Sequence, residues 1–347
     1  MSFLKISEKI VLNKLKKIKN GNLKLINYDG KVFHFGSLES NLSADIKINN
    51  PKFYFNIISG GSSALGEAHM NKDFYTSNLT NLIEISAKNI ELVYSFSGSL
   101  KIKKIKNFFK SIFASNTKSK SLHYISKHYD LGNNFFSKWL DKTLTYSSAV
   151  YENENDSLEI AQKNKYQKLI DLLDVKDGNR VLEIGCGWGG FSEYLAKNYN
   201  VSIDCITISK KQFEFTKKRI SDAGLNNKVN VLFLDYRDLQ DKYDNIVSIE
   251  MIEAVGENYL GKYFETIKKS LNKDGSAALQ GITIRDDLFN RYKRSEDFIQ
   301  KYIFPGGFLP SVNLMKTLIE KNKLNLIKVN SYPDDYAKTL ANWRINF

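Results

Sequence analysis

A chain of 347 residues, 42% hydrophobic and 13% aromatic, is long enough for two folded domains with separate cores, and 4 prolines and 20 glycines leave little room for disordered linkers. A formal net charge of +13 calls for a polyanionic partner, and with no helix-turn-helix, finger or RNA-binding signature in the chain that partner is read as anionic lipid rather than nucleic acid. Cys186 and Cys205 suggest no disulfide framework and fit a reducing cytoplasm; no apolar run reaches bilayer-spanning length, and the opening MSFLKISEKIVLNKLKK places charges where a signal peptide needs an apolar segment, so a soluble or peripheral protein is expected.

Residues 1 to about 95 read as an α+β module. A basic helix over roughly 5–19 precedes short alternating segments, Leu23 to Tyr28 and Lys31 to Phe35, divided by Asp29-Gly30. Ala44 to Ile48 continues the strand pattern, Phe53 to Ile58 is apolar all round, and Gly60-Gly61 breaks it. The stretch KIKKIKNFFKSIF at 101–113 repeats Ile and Phe at helical intervals between lysines, the pattern of a basic amphipathic helix that serves as a buried connector, a membrane-surface contact or both. The polar run 114–120 then marks a boundary, with an accessory, lipid-interaction domain over 1–115 and a second domain over 120–347. His128 to Phe136 and Leu144 to Tyr151 mix aromatic and polar residues as site-lining segments do, although His128 alone reads more readily as a hydrogen-bonded structural histidine.

From there strands and helices alternate. A helix over Gln162 to Leu173 leads to the strand Val181 to Ile184, which breaks into Gly185-Cys186-Gly187-Trp188-Gly189-Gly190 before helical spacing resumes. Further strands are expected over 201–208, 229–234, 243–249, 276–284 and 324–329, giving an α/β, doubly wound, mainly parallel sheet of the Rossmann-like kind. Glu183 before the first glycine makes the loop E-x-G-x-G-x-G, in which a carboxylate near the strand end can meet the ammonium group of S-adenosylmethionine (SAM); that reading stands ahead of a dinucleotide or an empty turn. Ligands of such sheets lie beyond the carboxyl ends of the strands, so Glu183, Gly185, Thr207, Asp235, Tyr236, Ile249, Glu253 and Gln280 should face one crevice.

With HYDLGNNFF at 128–136, LTYSSAVY at 144–151, VLEIGCGWGGF at 181–191, ITISKKQ at 206–212, EMIEAVGENY at 250–259 and QKYIFPGGFLPS at 300–311, the chain resembles the cyclopropane-fatty-acyl-phospholipid synthase family of SAM-dependent methyltransferases. The resemblance implies that Tyr146, Ser147, Gly185, Gly187, Thr207, Gln212, Asp235 and Tyr236 hold SAM, with Tyr236 and Ile249 flanking adenine, and that a lipid-site insertion lies around 285–311. It implies methyl(ene) transfer to the cis double bond of unsaturated phospholipid acyl chains at the inner face of the cell membrane, a possible homodimer, and a bicarbonate ion as base, held by Ser148, Glu253, Gln280, Ile282 and Tyr336.

Departures accompany it. Ser148 stands where many members have Cys, Gln280 where many have His, and the residues end at Phe347 where relatives continue with a further helical segment, which implies either that the ion-binding residues suffice or that a lipid pocket or dimer contact is incomplete. A primary amide offers two N–H donors, so Gln280 is expected to hold the ion still. The alternatives are a methyl-branched or methylated dienoic product, a small-molecule amine methyltransferase, or an inactive SAM- and lipid-binding protein.

Overall fold

A computed structural model describes residues 3–60, 62–96, 132–294 and 296–347; the 101–113 stretch, the run 114–120 and His128 lie outside the described residues. The chain divides into two units, Met1–Phe113 with Tyr292–Ile303, and Ala114–Arg291 with Phe304–Phe347.

In the first unit helix α1 (Phe3–Leu15) precedes strands β1 (Asn22–Ile26), β2 (Val32–Gly36) and β3 (Ser43–Ile48), then helices α2 (Lys52–Gly60) and α3 (Ser62–Met70), strand β4 (Phe74–Tyr75), and helices α4 (Leu79–Lys88) and α5 (Ile90–Phe96). The sheet order is β2-β1-β3-β4, with β1 antiparallel to β2 and parallel to β3. Period-two alternation turns Leu23, Leu25, Ile46 and Ile48 to one buried face. The first helix stops at Leu15, short of residue 19, and Ile18 turns into the core instead. The apolar run Phe53 to Ile58 is helical, because Phe53, Tyr54, Ile57 and Ile58 recur at i, i+1, i+4 and i+5 and bury one stripe against the sheet core.

Part of the 285–311 stretch completes this unit. The helix Phe298–Tyr302 is capped by Asp297 and Gln300, and the ring of Phe298 occupies the space a Cβ on Gly66 would need, 2.3 Å away. Lys301 pairs with Glu67 at 2.5 Å, and the Ser63 hydroxyl donates to the Glu296 carbonyl at 3.1 Å.

The second unit carries α6 (Asn133–Phe136), α7 (Leu158–Leu173), β5 (Arg180–Ile184), α8 (Gly190–Asn198), β6 (Ser202–Thr207), α9 (Lys210–Asp222), β7 (Val229–Phe233), β8 (Tyr243–Ile249), α10 (Ile252–Val255), α11 (Leu260–Ser270) and β9 (Leu271–Gln280), and later α12 (Val312–Lys321) and α13 (Pro333–Asn346). All strand pairs are parallel in the order β7-β6-β5-β8-β9, so the direction of winding reverses between β5 and β8 and opens a crevice beyond their carboxyl ends. Burial on both faces explains near-continuous apolar strands such as Val181, Leu182 and Ile184.

Two expectations are corrected. Residues 324–329 form no strand: Leu326, Ile327 and Val329 find no neighbouring strand among the described residues and stay exposed, after Lys323 turns the chain at a φ of 55°. The fifth strand begins at Leu271 and leaves the sheet after Gln280, because β8 ends opposite it at Ile249; only Ile284 makes an isolated bridge, to Ser311.

In the first unit the fully buried Tyr54 hydroxyl donates to Asn27 Oδ1 at 2.7 Å. Tyr54→Phe removes that donor and leaves a buried acceptor, so equilibrium denaturation of the whole chain should show a loss of about 1–3 kcal/mol in the transition that reports this unit.

Candidate active site

Residues 181–184 run as a buried strand straight into a loop that only glycine can shape. Gly185 has a φ of +83°, and a Cβ there would stand 2.8 Å from Met251 Cγ. The amides of Gly185 and Cys186 both donate to the Ile206 carbonyl at 3.0 Å, which clamps the loop onto the end of β6. Gly187, with a φ of +53°, has nothing within 4 Å of its would-be Cβ, although it lines the crevice: the space beside it is open to a ligand.

The crevice gathers every cofactor residue read from the sequence. Glu183, Gly185 and Gly187 come from β5 and its loop, Thr207 and Gln212 from the β6–α9 turn, Asp235 and Tyr236 from the end of β7, Ile249 from the end of β8, and Tyr146 and Ser147 from the segment before α7. That last segment is fixed by α13, whose Thr339 hydroxyl accepts from the Ala149 amide at 3.0 Å and whose Asp335 carboxylate accepts from the Tyr151 amide at 2.7 Å. Thr207 donates to the Gln212 side-chain carbonyl at 3.0 Å. The Asp235 carboxylate takes the Arg237 guanidinium at 2.6 and 2.8 Å, so it anchors that cation as well as lining the crevice. Tyr236 packs edge-on to Tyr263 at 5.5 Å, and burial pushes its phenol up to about 12.

Glu183 is buried and accepts from the Ser192 hydroxyl at the start of α8. Burial pushes its carboxyl up to about 7, against the opposing pull of Ser192, Lys165 and Arg219. Lys165 is a residue the sequence reading missed. It lies on the buried stripe of α7, and its ammonium donates to the Ser147 hydroxyl at 2.6 Å. Burial pulls it down to about 7, although Glu250, Asp141 and Glu183 pull the other way. The signal was available: Gln162 and Lys165 fall in phase with Leu158, Ala161, Leu169 and Leu173, polar residues at apolar positions.

The residues assigned to bicarbonate also come together, but Glu253 and Gln280 do not line the crevice as expected; they gather around a second missed residue, Glu250, which does line it. Glu250 Oε1 accepts from the Ser148 amide at 2.8 Å and from Gln280 Nε2 at 2.9 Å, and Gln280 Nε2 further donates to the Ser148 carbonyl at 3.0 Å. Glu253 Oε1 accepts from the Ile282 amide. Glu253 Oε2 is buried with no partner among the described residues. Burial and then the Glu250 charge push the Glu253 carboxyl up, and burial with both carboxylates pushes up the Tyr336 phenol on α13. The free amide donors expected of Gln280 are therefore engaged. The Ser148 and Ile282 amides are engaged too, and the Ser148 hydroxyl donates to the Ala149 carbonyl at 3.1 Å. The chain's own carboxylates accept from the Ser148, Gln280 and Ile282 amides, while the buried Glu253 Oε2 is left without a partner among the described residues, a position that a small protonated oxyanion such as bicarbonate would fit.

A similar fold is found among known methyltransferases. A mycolic acid cyclopropane synthase complexed with SAH and CTAB superposes with a TM-score of 0.61 at 29% identity, over 65% of this chain and 82% of that one. The winding order, the glycine loop and the crevice define a SAM-dependent methyltransferase. Cyclopropane-fatty-acyl-phospholipid synthase of Escherichia coli is 35% identical over 317 residues, 90% of this chain and 78% of that protein. Tuberculostearic acid methyltransferase of Mycobacterium tuberculosis is 31% identical over 295 residues, 83% of this chain and 69% of that protein. The profile of the mycolic acid cyclopropane synthetase family matches residues 116–347, and the chain belongs to that family.

Gly187→Val adds a branched side chain to the open side of the loop at a left-handed backbone position. Calorimetry should show SAM affinity lowered by about 2 kcal/mol or more, roughly thirtyfold, and the strain of a β-branched residue at that φ should also lower the thermal transition of the free protein, by the equivalent of about 1–2 kcal/mol. Unchanged affinity would remove the loop from the cofactor site. Glu183 makes a pH prediction for the SAM-free protein. Its folded pKa lies above the unfolded value, so the stability it contributes is present below about pH 4.5 and is lost as pH rises through about 7. Between pH 5 and 8 the wild type should therefore lose up to roughly 3 kcal/mol relative to Glu183→Gln in urea titrations.

Proposed function

We propose that the enzyme transfers the methyl group of SAM to the cis double bond of unsaturated acyl chains in membrane phospholipids and closes the product to a cyclopropane. The observation that carries this reading is the pairing of the cofactor crevice with a cluster of carboxylates, Glu250 and Glu253, beside an aromatic wall. An alkene that accepts a methyl cation becomes a carbocation, which needs ring faces to stabilise it and a group to take a proton. Tyr146 and Trp188 line the crevice and are backed by Phe136, Trp139 and Trp343, with ring centroids 4.9 to 5.5 Å apart in the pairs Phe136–Trp188, Trp139–Tyr146, Tyr146–Trp343 and Phe136–Tyr146. Bound SAM supplies an electrophilic methyl on a sulfonium. The chain's residues align the double bond with it and exclude water, which a weak nucleophile requires. The Escherichia coli relative, a cyclopropane-fatty-acyl-phospholipid synthase, supports the same substrate class.

A methyl-branched product is the second reading, favoured by the tuberculostearic acid methyltransferase among the relatives. Membrane docking through basic surface is proposed from the net charge of +13. Among the described residues no helix is long and apolar enough to cross a membrane.

Methyl-labelled SAM incubated with the enzyme and unsaturated phosphatidylglycerol vesicles should place label in acyl chains, and mass spectrometry with a silver-ion or hydrogenation step separates cyclopropane from methyl-branched chains. Label confined to head groups or to added amines would sink the lipid reading. Co-sedimentation should weaken as salt rises, since each Lys or Arg near an anionic surface contributes about 1 kcal/mol.

A further inference from the structure

We propose that Lys165 is a positioning residue for the cofactor, a buried ammonium that fixes the Ser147 hydroxyl as a donor to the carboxylate of the methionyl part of SAM. The inference rests on SAM as the cofactor and on no particular acyl product.

Helix α7 turns two polar side chains toward the segment that precedes it, at positions in phase with the buried Leu158, Ala161 and Leu169. Gln162 Nε2 donates to the Ser147 carbonyl at 2.9 Å, and Lys165, about one turn further on, donates to the Ser147 hydroxyl oxygen at 2.6 Å. All of these side chains are buried. The first bond holds the backbone of Ser147, and the second decides what its hydroxyl can do. An ammonium only donates, so the Ser147 oxygen accepts from Lys165 and its own O–H must point elsewhere. Neither that O–H nor the Ser147 backbone amide has an acceptor among the described residues, and Ser147 lines the crevice while Lys165 does not. Two unused donors on one wall residue suit the two oxygens of a carboxylate.

Charge carries the inference further. SAM brings a sulfonium and an ammonium, and a lysine behind the crevice wall repels both. The arrangement is favourable only where the ligand's one anionic group, its carboxylate, faces the lysine. Lys165 is short of partners: among the described residues Ser147 takes its one hydrogen bond, and burial disfavours its charge while Glu250, Asp141 and Glu183 favour it. A ligand carboxylate beyond the Ser147 hydroxyl completes a chain of ammonium, hydroxyl and carboxylate in which every link joins a donor to an acceptor. Glu183 lines the same crevice and its carboxyl feels the Lys165 charge, so an acidic and a basic side chain stand near each other. The ammonium and carboxylate of an amino acid share one carbon and need such a pair. Packing alone does not account for a lysine here, because an apolar side chain would fill the same slot without taking a charge out of water.

Calorimetric titrations with S-adenosylhomocysteine and with its decarboxylated analogue, which keeps the adenosine, the thioether and the amine, read the carboxylate separately from the rest of the ligand. Wild-type protein should bind S-adenosylhomocysteine roughly tenfold or more tightly than the analogue, the scale of a hydrogen bond to a charged group. Lys165→Met should weaken S-adenosylhomocysteine roughly tenfold and leave the analogue unchanged or tighter, so that the preference for the carboxylate nearly disappears. Ser147→Ala should do the same, and the double variant should lose little more than either single one, since the two residues act as one relay. A residue that only supports the wall would weaken both ligands alike. Equal losses for the two ligands, or full S-adenosylhomocysteine affinity in Lys165→Met, would overturn the proposal. If Lys165→Met does not fold, Lys165→Gln, which keeps a neutral donor in the slot, is read by the same two titrations: a selective loss supports the proposal, and an equal loss or none overturns it. Wild-type protein that binds neither ligand would overturn the cofactor assignment and, with it, this inference.

Discussion

The crevice depends on balancing charges that the fold has taken out of water. Removing a charge from water costs several kcal/mol unless a partner and hydrogen bonds replace the solvent. Lys165 finds Ser147, Glu183 finds Ser192, Glu250 finds Gln280 and the Ser148 amide, and Glu253 finds the Ile282 amide. Those pairings tie together α7, α8, the ends of β8 and β9 and the segment before α7, so the same interactions that neutralise the group also fix the crevice walls. Burial brings Lys165 down to about 7 and Glu183 up to about 7, which leaves both close to their midpoints at neutral pH. A cation arriving in the crevice favours the ionised form of each nearby carboxylate, and a sulfonium with an attached ammonium is such a cation.

The parallel sheet converts this local balance into a site. Reversal of winding between β5 and β8 leaves their carboxyl ends uncovered, and the residues that follow them, the glycine loop on one side and Glu250-Met251 on the other, meet across the opening. Met251 packs where a side chain on Gly185 would be, so loop and β8 corner constrain each other. The open space beside Gly187 is what remains for the cofactor. Helix α13 performs the corresponding task for the aromatic wall: Asp335 and Thr339, one turn apart, hold the backbone of 149–151, and Tyr336 between them reaches the carboxylate cluster.

Departures from a family pattern acquire a physical meaning only in this context. On the family resemblance, Ser148 and Gln280 stand where many members carry a thiol and an imidazole, and each keeps a hydrogen-bonding group at its position. Read with Glu250 they form one unit, because the amide and the Ser148 backbone are directed at a carboxylate the chain itself supplies.

Much was legible without coordinates. The period of the apolar residues determined strands at 22–26, 43–48, 181–184, 202–207, 229–233 and 243–249 to within a residue or two, and the alternation with helices determined a parallel sheet whose ligand lies at the strand ends. Glycine spacing and Glu183 determined the cofactor class, because a loop without side chains at those positions is a local property of the chain. Local sequence could not decide whether 324–329, with its strand-like alternation, would find a neighbour to pair with, nor that Phe298 would settle against Gly66. Nor could it decide the partners of buried charges. Lys165, Glu250 and Gln280 are separated by 85 and 30 positions in the chain and become one electrostatic group only when α7, β8 and β9 are stacked, since the desolvation that shifts the proton affinities of Lys165 and Glu250 belongs to the packed crevice and to no segment of it.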